Sequence, residues 1–207
     1  MSQTSNAYPV NLSIDYPDRS LNRLTTFFRA FTLIPIAIVI GLLTYAGTNG
    51  EADWSYSSAA IVFLPLILMI LFRQKYPKWW FDWNVALTKF STRVGAYTGL
   101  LTDVYPSTDE EQMVHIEIPY PDVKNELNRW LPLVKWFLAI PHCVVLFFLY
   151  IAVIVCVIIA WFAILFTGRY PRDLFDFVVG VTRWSLRVEA YALLLVTDRY
   201  PPFELGN

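Results

Sequence analysis

His142 is the side chain whose type and position most favour a chemical role. It follows Pro141 inside a long apolar run, and an ionisable residue in a membrane-like segment is a candidate functional residue. An imidazole ring can bind haem iron or chlorophyll magnesium, so one interpretation is a pigment or haem ligand. The alternative is a structural histidine, bonded to a backbone carbonyl that Pro141 leaves free. The other histidine, His115, lies in a predicted strand, which argues against two histidines holding one haem.

Basic residues at a repeated spacing form the second candidate group. Lys89 and Arg93 recur as Arg183 and Arg187, and an aspartate precedes each pair. At helical spacing the aspartate and the two bases share one face. This pattern predicts a stripe that binds anionic lipid head groups or a partner protein. The alternative is structural, with salt bridges inside the helix or contacts that fix the helix to its own unit.

The short motifs typical of enzymes are absent from the sequence. It has no Walker loop, glycine-rich dinucleotide turn, Ser-His-Asp set, HExxH or paired-cysteine metal motif. Cys143 and Cys156 lie in an apolar run and are expected to be small buried hydrophobic residues. The net charge of −1 does not indicate a nucleic-acid partner. We therefore expect no enzyme and no cofactor, apart from the haem or chlorophyll alternative at His142.

The composition places these residues in a membrane protein. Apolar residues make up 56% of the chain and aromatic residues 17%, above the usual apolar share of soluble domains. The apolar residues concentrate in runs near 27–46, 56–72 and 131–166, which is typical of membrane segments. The predicted fold is an all-α integral membrane protein with minor strands.

An internal repeat divides the chain into two tandem units, 1–106 and 107–207. The letters YPD at Tyr16 return at Tyr120. Other matching pairs are Asn22 with Asn128, Pro35 with Pro141, Tyr76 with Tyr170, Tyr97 with Tyr191, and Thr102-Asp103 with Thr197-Asp198. Proline ends helices and tyrosine prefers the membrane–water boundary. The tyrosine–proline pairs are therefore expected to mark places where the chain meets the bilayer surface.

Each unit is predicted to hold a short strand, a transmembrane helical hairpin and a cytoplasmic interfacial amphipathic helix. Period-two alternation places the strands near 10–14 and 114–118. The hairpin legs are 27–46 and 56–72 in the first unit and 131–149 and 150–166 in the second. The interfacial helices are 77–102 and 171–197, because two basic residues in mid-span would cost roughly 5–7 kcal/mol.

The second hairpin depends on a length argument. The run from Leu131 to Phe166 has no polar break. As one helix it would measure about 54 Å, against a hydrocarbon core of about 30 Å. A tight turn near 148–153 is therefore favoured, and one long tilted helix is the alternative.

The distribution of charge predicts the orientation in the membrane. The segment 47–55, between the legs of the first hairpin, contains acidic residues and no Lys or Arg. Positive residues collect on the cytoplasmic side of membranes. We therefore expect a multi-pass protein with both termini in the cytoplasm.

Three stretches carry a family resemblance. They are RWLPLVKWFLAIPH from Arg129, AWFAILFTGRYPRDLFDFVVGVTRWSLRV from Ala160 and AYALLLVTDRYPPF from Ala190. With these the sequence resembles bacterial membrane proteins that carry domain-of-unknown-function family four-three-eight-nine. The second unit is the closer copy, and the first reads IPI and KYPKWWFDW where the second reads IPH and RYPRDLFDF. The resemblance implies an integral protein of the bacterial inner membrane and supplies no activity or catalytic residue.

The leading functional hypothesis is a non-enzymatic accessory or scaffold subunit of a larger membrane complex. Its partners would be membrane lipids and other integral membrane proteins, and no nucleic acid. Three alternatives stay open: a lipid- or quinone-interacting protein, a small oligomeric channel or transporter, and a haem- or chlorophyll-binding subunit that uses His142.

Overall fold

The computed structural model describes residues 8–17, 20–45, 66–108, 110 and 112–206. Two strands, β1 (Asn11–Ile14) and β2 (Val114–Glu117), form a small sheet. The helices are α1 (Arg23–Tyr45), α2 (Lys78–Thr98), α3 (Leu131–Thr167) and α4 (Arg172–Ala192), with a π-helical turn at Met69–Arg73. The predicted loop 47–55 and most of the predicted leg 56–72 lie outside the described residues.

The helix α3 is continuous over 37 residues, so the predicted hairpin of 131–149 and 150–166 is wrong. The predicted turn region near 148–153 contains no glycine, proline or polar break, and nothing there stops helix propagation. Pro132 lies in the first turn, where a missing N–H costs little. The helix ends at Gly168, whose φ of +78° suits a residue without a Cβ atom. The long-helix alternative is the one that forms.

The strands form where the alternation predicts them, but they pair with each other. Leu12 lies opposite Ile116 in an antiparallel ladder, and Ile14 lies opposite Val114. All four of these side chains are buried, while the alternate residues of both strands face outward. The two strands therefore form one sheet shared by both halves, whereas the prediction gave each unit a strand of its own.

The helix α4 runs antiparallel along α3. Trp136 of α3 meets the end of α4, where its indole Nε1 donates to the carbonyl of Ala192 at 2.8 Å. Near the other end of the pair, Ile164 of α3 belongs to the same buried cluster as Phe175 of α4. The apolar stripe of α4 is therefore covered by protein, and the predicted separate interfacial helix is wrong for this segment.

Together these features contradict a fold of two multi-span, all-α membrane units. Within the described residues, α3 is the one helix long and apolar enough to cross a membrane. The main hydrophobic core lies where the buried face of the sheet meets α4 and the C-terminal part of α3. It joins Leu12 and Ile116 to Val178 and Ile164.

Candidate functional site

Lys135 is a buried cation held by three groups. Its Nζ atom donates to the carbonyl oxygen of Thr197 at 2.7 Å and lies 2.7 Å from a carboxylate oxygen of Asp198. It also lies 5.0 Å from the centre of the Tyr191 ring, within the range of a cation–π contact. The other Asp198 oxygen accepts the backbone N–H of Asn128. This set ties the start of α3 to the segment that follows α4.

Arg29 is held in the same way in the first half of the chain. Its Nη1 atom donates to the carbonyls of Tyr97 and Thr102 at 2.8 and 3.0 Å. Its Nη2 atom pairs with Asp103. The second oxygen of Asp103 accepts the backbone N–H of Asn22 at 2.7 Å. The guanidinium lies 4.4 Å from the centre of the Tyr97 ring.

We call these two arrangements the Lys135 clamp and the Arg29 clamp. The repeat pairs their asparagines, tyrosines and aspartates, as the sequence predicts. The sequence analysis missed Arg29 and Lys135. The available signal was position, because each cation stands at the same distance along the chain from its asparagine. The two positions do not match by residue type, because one cation is Arg29 and the other is Lys135.

The tyrosines of the tyrosine–proline pairs make internal contacts. Tyr16 donates its hydroxyl to the carbonyl of Tyr170, and its ring meets Phe175 edge-on at 5.0 Å. Tyr120 likewise donates to the carbonyl of Tyr76. The Tyr120 ring meets Phe81 at 5.1 Å. The strand and the tyrosine of each half thus contact a helix of the other half. Tyr16 contacts α4, and Tyr120 contacts α2.

Arg183 and Arg187 bind backbone carbonyls of β1 and of the segment that follows α4. Arg183 donates from Nε to the carbonyl of Leu12 and from Nη1 to that of Leu205, at 2.9 and 3.0 Å. Arg187 is 2% exposed, and its Nη2 donates to the carbonyl of Gly206 at 2.8 Å. Burial lowers the pKa of both guanidinium groups. These contacts match the structural alternative given for the pair, and no contact here tests lipid binding.

In α2 the corresponding residues differ from one another. Arg93 is buried and donates to the carbonyl of Ser107 at 2.9 Å, whereas Lys89 is only partly buried. The aspartate of this helix, Asp82, pairs with Lys78 at 3.1 Å, one turn before it. The three residues predicted to share a face therefore do not form one ion-pair stripe.

His142 is fully buried and serves a structural contact. Its Nδ1 atom accepts the indole N–H of Trp184 at 3.1 Å. Its ring stacks on Phe203 with centroids 3.9 Å apart. Its Nε2 atom has no hydrogen-bond partner among the described residues. Because an indole nitrogen only donates, Nδ1 must carry the lone pair, and Nε2 carries the proton.

This arrangement does not fit a haem or chlorophyll ligand. Such a ligand needs a lone pair on the nitrogen that faces the metal, while the other nitrogen donates. In His142 the roles are reversed, and Phe203 covers one face of the ring. His115 lies on the exposed face of β2 and pairs with Asp15 at 3.1 Å. Among the described residues, no group of three or more His, Cys, Asp or Glu could hold a metal ion.

A groove of about 570 Å³ lies between α2, α3 and α4. Glu189 of α4 reaches into it, and one carboxylate oxygen accepts the hydroxyl hydrogen of Thr88 at 3.1 Å. Burial raises the pKa of Glu189, and the bond from Thr88 offsets this in part. The matching residue in α2 is Gly95, which also lines the groove. The sequence analysis assigns no role to Glu189, which the repeat does not reproduce.

Among the described residues, none covers a wide apolar face of α3. Only 11% of its most apolar 18-residue stretch is buried. The exposed side chains include Phe137, Phe147, Phe148, Ile154, Ile158 and Phe162. Monomeric soluble proteins rarely expose a continuous apolar surface of this extent. A face of this kind is typical of surfaces that contact lipid or protein.

Comparison with known proteins gives one match. No curated protein and no solved structure matches the chain. The single family match lies in the second half, so it supports neither tandem copies of the family nor a ranking between them. A model described as a domain of unknown function, DUF4389, matches residues 130–204, which confirms the resemblance to that family for this stretch.

Proposed function

We propose that the protein is a non-enzymatic accessory or scaffold subunit of a larger protein assembly in the bacterial inner membrane. The observation that carries the proposal is the uncovered apolar face of α3. Only 11% of its most apolar 18-residue stretch is buried, and the helix is long enough to cross a bilayer. The partners are membrane lipids and integral membrane proteins that pack against this face.

The use of the charged groups supports a structural role. Arg29, Lys135 and Arg187 are each nearly inaccessible to solvent and bind acceptors of this chain. A subunit whose polar groups hold its own elements together presents its apolar surface to partners. Large aromatic side chains are the residue types enriched at such interfaces.

We also infer that the two clamps descend from a duplicated unit. Asn22, Arg29 and Asp103 have the same relationships as Asn128, Lys135 and Asp198. The strands are exchanged between the halves, so neither half is expected to be stable alone. Expression of each half separately tests this mutual dependence, since independent folding of either one contradicts it.

The function is tested by truncating exposed side chains on two stripes of α3. Phe148 and Phe162 lie on one stripe, and Phe147 and Ile154 lie on the neighbouring one. Paired changes to alanine on each stripe remove exposed apolar surface of α3. We expect the pair at the partner interface to reduce the co-purifying partner at least about tenfold, equivalent to about 1.4 kcal/mol.

The thermal midpoint of the purified variants separates docking from folding. It should stay close to that of the unaltered protein for both stripes. Phe203→Ala is the contrasting change, because it removes a ring that stacks on the buried His142. If neither stripe alters the partners recovered, the docking face has been assigned wrongly.

A further inference from the structure

The Glu189 groove combines a partly buried carboxylate with hydroxyl oxygens. Its walls come from three helices: α2 supplies Ser91, Thr92 and Thr98, α3 supplies Tyr150, and α4 supplies Thr182. No Lys, Arg or His lines the groove, whose walls all belong to the described residues. The groove therefore has no positive charge of its own to balance Glu189.

Five of the six hydroxyl groups that line the groove donate their hydrogens to acceptors of this chain, and the sixth, Ser185 of α4, accepts one of these bonds. Ser91 and Thr92 both donate to the carbonyl of Thr88, at 3.0 and 2.8 Å. Thr98 and Thr182 each donate to the carbonyl one turn earlier in their own helix, at 2.8 Å. Tyr150 donates to Ser185 at 2.8 Å. What the five donating groups still offer is oxygen lone pairs, so a bound molecule that brings several hydrogen-bond donors suits the groove.

We propose that this groove binds an amphiphile whose head is a primary ammonium group. A protonated amine has three N–H donors and one positive charge. The charge matches the single carboxylate of Glu189, and the donors match the lone pairs around it. A carbonyl or phosphate head would face the same lone pairs with acceptors of its own.

The apolar wall of the groove accounts for the tail of the amphiphile. Val153, Ile154, Val157 and Ile158 of α3 line the groove beside Glu189. Ile154 and Ile158 are 60% and 52% exposed, so this wall continues into the uncovered face of α3. A hydrocarbon chain can leave the groove along these side chains and join the surrounding lipid.

The position of Gly95 leaves space for the head group. A Cβ atom placed on Gly95 would meet no other atom within 4 Å. The equivalent residue in the other half of the chain is Glu189 itself. A second large side chain at residue 95 would fill the space into which Glu189 projects.

The test measures binding of dodecylamine to the full-length protein in a neutral maltoside detergent. Native mass spectrometry counts the bound molecules, with dodecyl sulfate as the probe of opposite charge. We expect one saturable amine site and no saturable sulfate site. Glu189→Gln should weaken amine binding at least about tenfold, because the ion pair is lost.

Two further variants separate a groove ligand from a general effect. Gly95→Leu keeps the carboxylate but fills the groove, and it should also abolish the saturable site. Glu117→Gln makes the same chemical change on the exposed face of β2 and should leave binding unchanged. Equal binding of dodecylamine and dodecyl sulfate would overturn the proposal. Undiminished amine binding by either Glu189→Gln or Gly95→Leu would do the same.

Discussion

Trp184 donates a hydrogen bond to His142 at the position where Phe90 meets Ile36 in the other half of the chain. The first pair is polar and joined at 3.1 Å, and the second pair is apolar. Both pairs fasten the first helix of a half to its last helix. The hydrogen bond with Trp184 therefore explains His142. This imidazole–indole pair takes the place of the apolar contact between Ile36 and Phe90.

The first prediction concerns this pair. Trp184→Phe leaves Nδ1 of His142 without a donor, and His142→Ile leaves the indole N–H without an acceptor. Each should cost about 1–3 kcal/mol, because a buried polar group loses its partner. The double variant recreates the pairing of Ile36 with Phe90 and should cost clearly less than the two single losses together.

Thermal midpoints of the four proteins in detergent give this comparison. A double variant whose loss equals the sum of the single losses would show that the two residues do not act as a pair. The absorption spectrum provides a second check, since the unaltered protein purified from its own membrane should carry no haem or chlorophyll bands.

The second prediction concerns the Lys135 clamp. Lys135→Met leaves Asp198 beside a buried apolar side chain without its cation, and the expected loss is about 3 kcal/mol of unfolding free energy. For a chain of this size that corresponds to a fall in the thermal midpoint of roughly 6–12 °C. Adding Asp198→Asn should restore part of the lost stability, because the uncompensated charge is removed.

Lys78→Met is the matched control for that change. Lys78 pairs with Asp82 at 3.1 Å, but the two side chains are 74% and 54% exposed. Exposed pairs contribute at most about 1 kcal/mol, so the midpoint should hardly move. Similar losses for the two lysine variants would mean that the Lys135 clamp contributes no more to stability than an exposed ion pair.

The third prediction concerns the exchanged strands. Asn11 and Glu117 are opposite one another in the sheet, and both side chains point outward. Opposite residues in antiparallel strands lie about 4.5–5.5 Å apart at Cα, within the range of a disulfide. With Cys143 and Cys156 replaced by alanine, Asn11→Cys with Glu117→Cys should form an intramolecular disulfide on mild oxidation.

Ser13→Cys with Glu117→Cys tests the register. Ser13 lies opposite His115, so this pair is diagonal and about 7–8 Å apart, too far for ready closure. Non-reducing electrophoresis and mass spectrometry distinguish the two pairs. Equal crosslinking in both would contradict the register, and crosslinking only between molecules would contradict the pairing within one chain.

The fourth prediction concerns pH. Burial raises the pKa of Glu189 in the folded protein above its value in the unfolded chain, about 4.3. The folded state therefore binds the proton more tightly, and the stability linked to it is full at low pH and is lost as pH rises through the raised pKa. Glu189→Gln mimics the protonated carboxyl and lacks this dependence.

The thermal midpoints of both proteins, measured from about pH 4 to about pH 8, test this linkage. We expect the midpoint of the unaltered protein to fall relative to that of Glu189→Gln across this range. Other titrating groups contribute equally to both curves. Parallel curves would mean that the carboxyl group of Glu189 is not buried as described.

Local patterns predicted the elements better than their arrangement. The alternation at 10–14 and 114–118 predicted both strands, yet nothing in either stretch names the other as its partner. The helix predicted at 171–197 forms as Arg172–Ala192, but its apolar stripe was assigned to lipid when α3 covers it. Such assignments depend on contacts between distant segments, which periodicity does not record.

The error in α3 and the neglect of Glu189 have separate physical causes. Bilayer thickness limits the part of a helix inside lipid, but a helix can extend beyond the bilayer, so length alone did not require a turn. Glu189 acquires its significance from Thr88 and Gly95 on another helix. The repeat could not reveal Glu189, because its counterpart in the other half is Gly95.

The composition of the native particle tests the central claim most directly. The protein would be extracted from its own membrane in a mild detergent and separated under native conditions, with mass spectrometry of everything that co-migrates. An accessory or scaffold subunit should travel with a defined set of other integral membrane proteins in a fixed ratio. Migration alone with lipid, or only with copies of this chain, would contradict the proposed function.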